Sequence, residues 1–327
     1  MYLRSFGSLL VAGIALAQAP PASQDDPPLY RSDTRLVLLH ASVVDKNGKL
    51  ITNIPQSAFK IFEDGVEQPI KLFRREDVPV SMGIIVDNSG SMSNKRSKVA
   101  AAAFDLVKQS NPEDEVFIVN FNDDAHIDQT LTNDAKKLQA ALAHMQARGG
   151  TAMRDALSKS IDYVKRNGKK DKKVLVVVTD GNDNSSDISL DTLLRQAHNS
   201  EVLIYSVGLL NEEEAREARS AKRALKALSE ASGGLDYYPK SLSDIQEITP
   251  RVAHEIRNQY ILGYTSSNQN FDGAFRQIKV TVTGFGRPTV RTRNGYYATP
   301  TARITEPQPE ALREAASERN IRAGLER

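Results

Sequence analysis

The sequence predicts an α/β domain with a doubly wound, mostly parallel sheet, inserted into a small β-sandwich-like domain formed by its own two flanks. Three observations carry this. Between residues 80 and 257 four nearly continuous apolar runs, "VSMGIIVDNS", "DEVFIVNFND", "KKVLVVVTDG" and "EVLIYSVGLL", alternate with helical stretches. Strands apolar on both faces belong in a parallel sheet covered by helices. Before and after this block the texture is β-rich, and neither flank is long enough for a comfortable sandwich alone. The two flanks are therefore expected to pair.

Taken in order, residues 1–17 have the layout of a secretory signal peptide. Arg4 is followed by an apolar stretch from Phe6 to Leu16, then by small residues at Ala15, Ala17 and Ala19. Cleavage is expected near Ala17 or Ala19, with an uncleaved anchor as the alternative. The chain has no cysteine, which excludes a lipid-modified cysteine and leaves stability to packing rather than disulfides. The mature protein is expected to be secreted or periplasmic, without a transmembrane span. Residues 18–33 are Pro-rich and polar and read as a linker.

Residues 34–78 form the first part of the β domain. "RLVLLHASVVD" is apolar and β-branched, and "FKIFEDGVEQPIKLF" holds two short runs around Asp64-Gly65, a hairpin signal. Residues 79–257 form the α/β domain. Val99, Ala103, Leu106 and Val107 share a helical face, as do Met153, Ala156, Leu157, Ile161 and Val164. A charged, Ala-rich helix over 212–231 stops at Gly233-Gly234. In the last helix of the block Ser243 and Gln246 resemble a capping box, and Pro250 interrupts the pattern. Either the helix kinks there or Thr249 caps a second start with Pro250 in its first turn, and the second is the preferred expectation. Residues 258–298 return to β texture, and 299–327 are a polar tail.

Lys and Arg number 43 against 41 Asp and Glu, and no basic stretch is interleaved with aromatics. Nucleic acid is not an expected partner. Gly284-Phe-Gly286 lacks the third glycine of a dinucleotide loop and reads as a turn, and no Walker sequence is present.

Sites in such sheets form at the carboxyl ends of strands. Three polar segments fall there or in nearby loops: Asp87-Asn-Ser89-Gly-Ser91, Thr151 after Gly149-Gly150, and Asp180 after "VVVT". Taken alone, the first could be a helix cap, a phosphate loop, a nucleophile turn or a metal site. A nucleophile needs an oriented base. His40, His126, His144, His198 and His254 show no ligand or triad spacing, and there is no G-x-S-x-G elbow. Hydroxyl and carboxylate oxygens alone suit a hard cation. Two carboxylates would neutralise a divalent ion, and three hydroxyls would add oxygens without charge. The remaining coordination would go to water or to an acidic group from outside.

Together, Asp87-x-Ser89-x-Ser91, Thr151 after Gly149-Gly150, and Asp180 in Thr179-Asp180-Gly181 resemble the metal-ion-dependent adhesion site of von Willebrand factor type A domains. The resemblance covers residues 79–257. It implies direct coordination by Ser89, Ser91 and often Thr151, with Asp87 and Asp180 acting partly through water. It implies Mg²⁺ as the cofactor, with Mn²⁺ or Ca²⁺ as alternatives, and an acidic side chain of a ligand at the sixth position. The β flanks resemble those of secreted bacterial proteins, common in acidobacteria, that carry such a domain. The expected function is metal-dependent binding of a protein or surface polymer, not catalysis. The rivals are an envelope scaffold in which the metal is mainly stabilising and, less favoured, a hydrolase. Asn120, Asn122, Asp123 and Asp124 are expected to stand on the rim, and the cluster Asp183, Asp187 and Asp191 to be a solvated loop leading into a helix, with a bias of the rim toward cations as the alternative; neither group is expected to touch ligand.

Overall fold

The computed structural model describes residues 35–75, 77–143, 148–212 and 214–299. The expected signal peptide, the linker and the tail beyond Thr299 lie outside the described residues. So does His144.

Four strands precede the α/β block: β1 (Leu36–Val44), β2 (Phe59–Glu63), β3 (Val66–Gln68) and β4 (Leu72–Arg74). Asp64 and Gly65 both take positive φ, +48° and +83°, the backbone of a two-residue hairpin turn matched to strand twist. The block then runs β5 (Val80–Asp87), α1 (Arg96–Lys108), β6 (Glu115–Phe121), β7 (Ala125–Thr132), α2 (Ala135–Ala143), α3 (Met153–Asn167), β8 (Lys172–Thr179), α4 (Leu190–Ser200), β9 (Val202–Gly208), α5 (Ala215–Ser232), β10 (Asp236–Tyr237) and α6 (Ile245–Arg257). The second flank supplies β11 (Tyr260–Thr265), β12 (Phe275–Val282), β13 (Thr289–Arg291) and β14 (Gly295–Tyr297).

The block forms a six-stranded sheet in the order β10-β9-β8-β5-β6-β7. All its pairings are parallel except that of the edge strand β7 with β6. Side chains alternate between two apolar cores, as the period of a strand requires. Met82, Ile84 and Val86 of β5 face α1 and α6, while Ile85 lies with Phe117, Leu175 and the buried faces of α3, α4 and α5. Gly83 occupies the second face, where a Cβ would lie 2.4 Å from the Phe117 ring and 2.7 Å from Leu175.

The flanks pair with each other. β1 runs antiparallel to β11 and β2 antiparallel to β12, giving two four-stranded sheets, β13-β1-β11-β4 and β14-β12-β2-β3. Their alternating inward residues, among them Leu39, Ile61, Tyr260, Leu262 and Ile278, share a third core, the arrangement of packed antiparallel sheets. At one end of this core Glu63 accepts hydrogen bonds from the hydroxyls of Tyr264, Ser266 and Tyr296, so its burial is compensated.

The sandwich sits at the amino ends of the parallel strands. Lys172, which opens β8, donates to the carbonyl of Ile256 at the end of α6. Gln259 reaches both Ser42 and Tyr205. His198, near the end of α4, meets the carbonyl of Gly295. Burial here pushes the His40 imidazole down to about 3, with Lys172 and Arg293 adding to the effect. Among the described residues no helix is long and apolar enough to cross a membrane.

Two expectations change. The last helix does not restart at Pro250: α6 is continuous from Ile245 to Arg257 with Pro250 inside it. Thr249 does not cap a new helix; its hydroxyl donates back to the Ile245 carbonyl. The Ser243–Gln246 box does not form either, since the Ser243 hydroxyl meets Ser241 and Asp244 takes the N-cap position. The proline is tolerated because it is exposed while Ile248, Thr249 and Val252 are buried, so packing holds the helix and water reaches the unpaired turn.

Two measurements probe this architecture. Replacing Pro250 with Ala restores the missing amide donor on an exposed helix face. Urea denaturation is expected to show about 1–3 kcal/mol of added stability; a loss would mean that the ring itself is needed. Gly83→Ala is expected to lower stability by about 1–3 kcal/mol through overpacking against Phe117, and an unchanged midpoint would count against that packing.

Candidate metal centre

The strand β5 ends in Asp87 and β8 in Thr179, followed by Asp180. β5 and β8 are adjacent and in parallel register up to Val86 and Val178, so the two carboxylates emerge side by side. Both aspartates are fully buried. Burial without partners would be costly, and each oxygen has one. Asp87 accepts the Ser89 amide at 2.9 Å on one oxygen and the Thr179 hydroxyl at 2.5 Å on the other. Asp180 accepts the Ser91 hydroxyl at 2.8 Å on Oδ1 and the Lys95 ammonium at 2.7 Å on Oδ2. The Ser89 and Ser91 hydroxyl oxygens are 3.1 Å apart. Burial pushes the Asp87 carboxyl above its usual range, opposed by its hydrogen bonds from Ser89 and Thr179, with nearby Asp180 a smaller upward push.

The serine loop is held from beneath and from the side. Met92, wholly buried, roots its short 3-10 turn in the α1 face of the core. The Asn88 amide donates to the Phe121 carbonyl at the end of β6. Gly90 donates to the Gly149 carbonyl at 3.2 Å, and Arg148 donates to the Asn88 carbonyl at 2.9 Å. These last two bonds bring the loop ahead of α3, and with it Thr151, against the serine loop.

Thr151 is itself 4% exposed, and three backbone contacts fix it. Its amide donates to the Asn184 side chain at 2.9 Å, and its carbonyl accepts the amides of Asn184 and Ser185. The Gly149-Gly150 pair explains itself here. Gly149 has φ +75°, and a Cβ on it would lie 2.1 Å from Asp123; one on Gly150 would lie 2.2 Å from Ser185. A side chain at either position would push aside the Asp123, Asn184 or Ser185 side chains that fasten the Thr151 loop, and at Gly149 it would also strain the backbone.

Of the five sequence-predicted residues, the structure joins Asp87, Ser89, Ser91 and Asp180 into one short-range polar cluster, with Thr151 in the loop bonded to it. The donors are oxygen atoms of two carboxylates and three hydroxyls, a set that fits a hard divalent cation. Among the described residues no group of three or more carboxylate, imidazole or thiol side chains could hold a metal, so the hydroxyls are indispensable to any such site. Lys95 was not foreseen. It is a buried cation in a stretch, "SNKRSK", that reads as solvated helix entry, and only its position beside the end of β5 could have signalled it.

The acidic loops are mostly exposed, as expected, but Asp183 is nearly buried and two of their carboxylates take up backbone amides. Asp123 accepts the Gly150 amide at 2.8 Å. Asp183 accepts the Arg154 amide at 2.7 Å and pairs with its guanidinium at 3.0 Å. Both fasten the Thr151 loop. His126 lies exposed in the edge strand β7.

Comparison with known proteins gives this picture a family context. No curated protein matches the chain. The von Willebrand factor domain of the type V pili tip protein Mfa5 from Porphyromonas gingivalis aligns at 12% identity over 55% of this chain and 95% of that one, with a TM-score of 0.47. A von Willebrand factor type A protein from Catenulispora acidiphila aligns at 12% identity over 80% and 73%, with a TM-score of 0.48. Proximal thread matrix protein 1 from the mussel byssus, in a form with a zinc-occupied metal-ion-dependent adhesion site, aligns at 16% identity over 59% and 49%, with a TM-score of 0.48. Residues 82–182, the stretch that contains Asp87, Ser89, Ser91, Thr151 and Asp180, match the family model of the von Willebrand factor type A domain.

Proposed function

We propose that this chain is a secreted or periplasmic binding module. A divalent cation, Mg²⁺ first, would be held by Asp87, Ser89, Ser91, Thr151 and Asp180 and would capture an acidic group of a protein or surface polymer. The observation that carries this reading is the oxygen-only cluster of Asp87, Ser89, Ser91 and Asp180 at the carboxyl ends of β5 and β8, with the Thr151 loop bonded to the serine loop beside it. All five residues fall inside the stretch matched by the family model, which supports a complete adhesion-type motif. Export rests on the signal-peptide layout of residues 1–17, and the acidobacterial type of architecture on the texture of the flanks.

Chemically, the cation supplies an electrophilic point that an outside carboxylate can share. The chain's own residues fix where that point is. Thr179 and the Ser89 amide hold Asp87, the Met92 root holds the serine loop, and Asn184 and Asp123 hold the Thr151 loop. The role is binding, a reading supported by the engagement of the Ser89 and Ser91 hydroxyls with Asp180 or with one another.

Calorimetric titration with Mn²⁺ and Mg²⁺ tests the site. The parent protein is expected to bind one ion saturably, and Asp180→Ala to lose that binding. The variant also removes the carboxylate that lies 2.7 Å from the buried Lys95 ammonium, and a loss of stability is expected with it. Asp180→Asn, which keeps a polar partner for Lys95, should stay folded by circular dichroism and still fail to bind. Unchanged affinity in the Asn variant would remove Asp180 from the site. Capture of a ligand from envelope extract is expected with Mg²⁺ and not with chelator, and equal recovery in both would reject metal-dependent binding.

A further inference from the structure

The buried ion pair between Lys95 and Asp180 has a consequence for how the site accepts a metal. A divalent cation at this cluster draws on Asp180, directly or through water, yet one Asp180 oxygen is already held by an ammonium at 2.7 Å, and the other by Ser91 at 2.8 Å. Both side chains are withdrawn from solvent, with Lys95 5% and Asp180 0% exposed. Two cations cannot share so small a buried volume without strong mutual repulsion. We propose that Lys95 is an internal cation that competes with the metal for Asp180, so that metal entry requires expulsion of its ammonium group. The proposal rests on the reading of this cluster as a metal site.

The geometry allows such an exchange. Lys95 lies in the turn between Met92 and α1, its amide bonded to the Met92 carbonyl, so its backbone is anchored while its stem carries four rotatable methylenes. A cleft of about 70 Å³ opens beside it, lined by Leu209, Asn211, Pro239, Lys240, Ser241 and Leu242. The Leu209 and Leu242 side chains offer apolar surface to the stem, and Ser241 offers a hydroxyl to the charge. Lys240 on the same wall works against long residence of a second ammonium there. The Lys95–Asp180 contact is thus the one that a divalent ion has to displace.

The Lys95 ammonium, 2.7 Å from Asp180, offsets part of the charge of the buried acidic pair where no metal does, and a divalent cation offsets it after exchange. Lys95 therefore protects the fold when metal is scarce and sets a threshold concentration for metal binding.

Lys95→Met and Lys95→Gln separate this from a merely structural lysine, Gln retaining a hydrogen-bond donor for Asp180 where Met does not. Calorimetry with Mn²⁺ is expected to show both variants binding about ten-fold or more tightly than the parent, the scale on which one charge-assisted hydrogen bond shifts an equilibrium. Thermal melts in chelator are expected to place both variants below the parent, and saturating Mn²⁺ to raise their midpoints more than it raises the parent's. Lys95→Arg, which keeps the charge, should bind no tighter than the parent. Equal affinities across parent, Met and Gln forms would overturn the competition while leaving the metal site standing. Saturable binding by the Met and Gln forms but not by the parent would support the competition in its strongest form. Absence of binding in all of them would reject the metal site and the competition with it.

Discussion

Two aspartates buried at the ends of adjacent parallel strands are the constraint around which the rest of this site is organised. Carboxylates with no solvent contact cannot remain charged unless each oxygen is met by a donor or a cation. The neighbouring sequence supplies what they need within a few residues of each. Thr179 stands immediately before Asp180 yet serves Asp87 across the strand gap. Ser91 and Lys95 follow Asp87 in sequence yet serve Asp180. The two halves are cross-linked, so neither loop can move without stranding a charge on the other. A hydrogen-bonded cluster of this kind is worth most when complete, because any unpaired member carries its full desolvation cost.

The sheet topology explains why the aspartates meet. The chain leaves β5 for α1 on one face and builds outward through β6. It then returns to the other side of β5 as β8 and leaves for α4 on the opposite face. Loops departing to opposite faces from neighbouring strands open a crevice at their carboxyl ends, the place where doubly wound sheets bind ligands. Asp87 and Asp180 line that crevice from its two sides. Their position follows from strand order before any consideration of what they bind.

Much of this was legible in the sequence because the signals were strong and local. Apolar runs on both faces located β5, β6, β8 and β9, and the five oxygen-bearing residues stood at strand ends and ahead of a helix. What escaped has physical reasons. The edge strand β7 has no buried residue and changes register against β6, so it shows neither alternation nor apolar density. Pro250 was read by its intrinsic cost, which the buried face of α6 overrides. Asp183 read as solvated charge yet is nearly buried, and both it and the exposed Asp123 accept an amide of the Thr151 segment, a long-range bond that no local pattern encodes. Lys95 is the sharpest case. A lysine in a polar segment is ordinarily on the surface, and only the three-dimensional approach of β8 makes this one a buried counter-ion.

The way the α/β block is inserted completes the argument. The chain enters it at Val80, whose amide is held by Asp114, and leaves it at the end of α6, where Arg257 pairs with Asp77. Entry and exit are thus tied together at the amino ends of the strands, beside the contacts of His198 and Gln259 with the sandwich. Insertion through one edge of a domain normally risks burying the loops at that edge. Here every such contact falls at the end of the sheet opposite Asp87 and Asp180. The sandwich can therefore stiffen the block through its base while the rim formed by Ser91, Gly149 and Asn184 keeps its exposure. A binding site made of small, internally bonded side chains needs that division: a rigid base to hold the acidic pair in register, and an uncovered rim where an outside group can arrive.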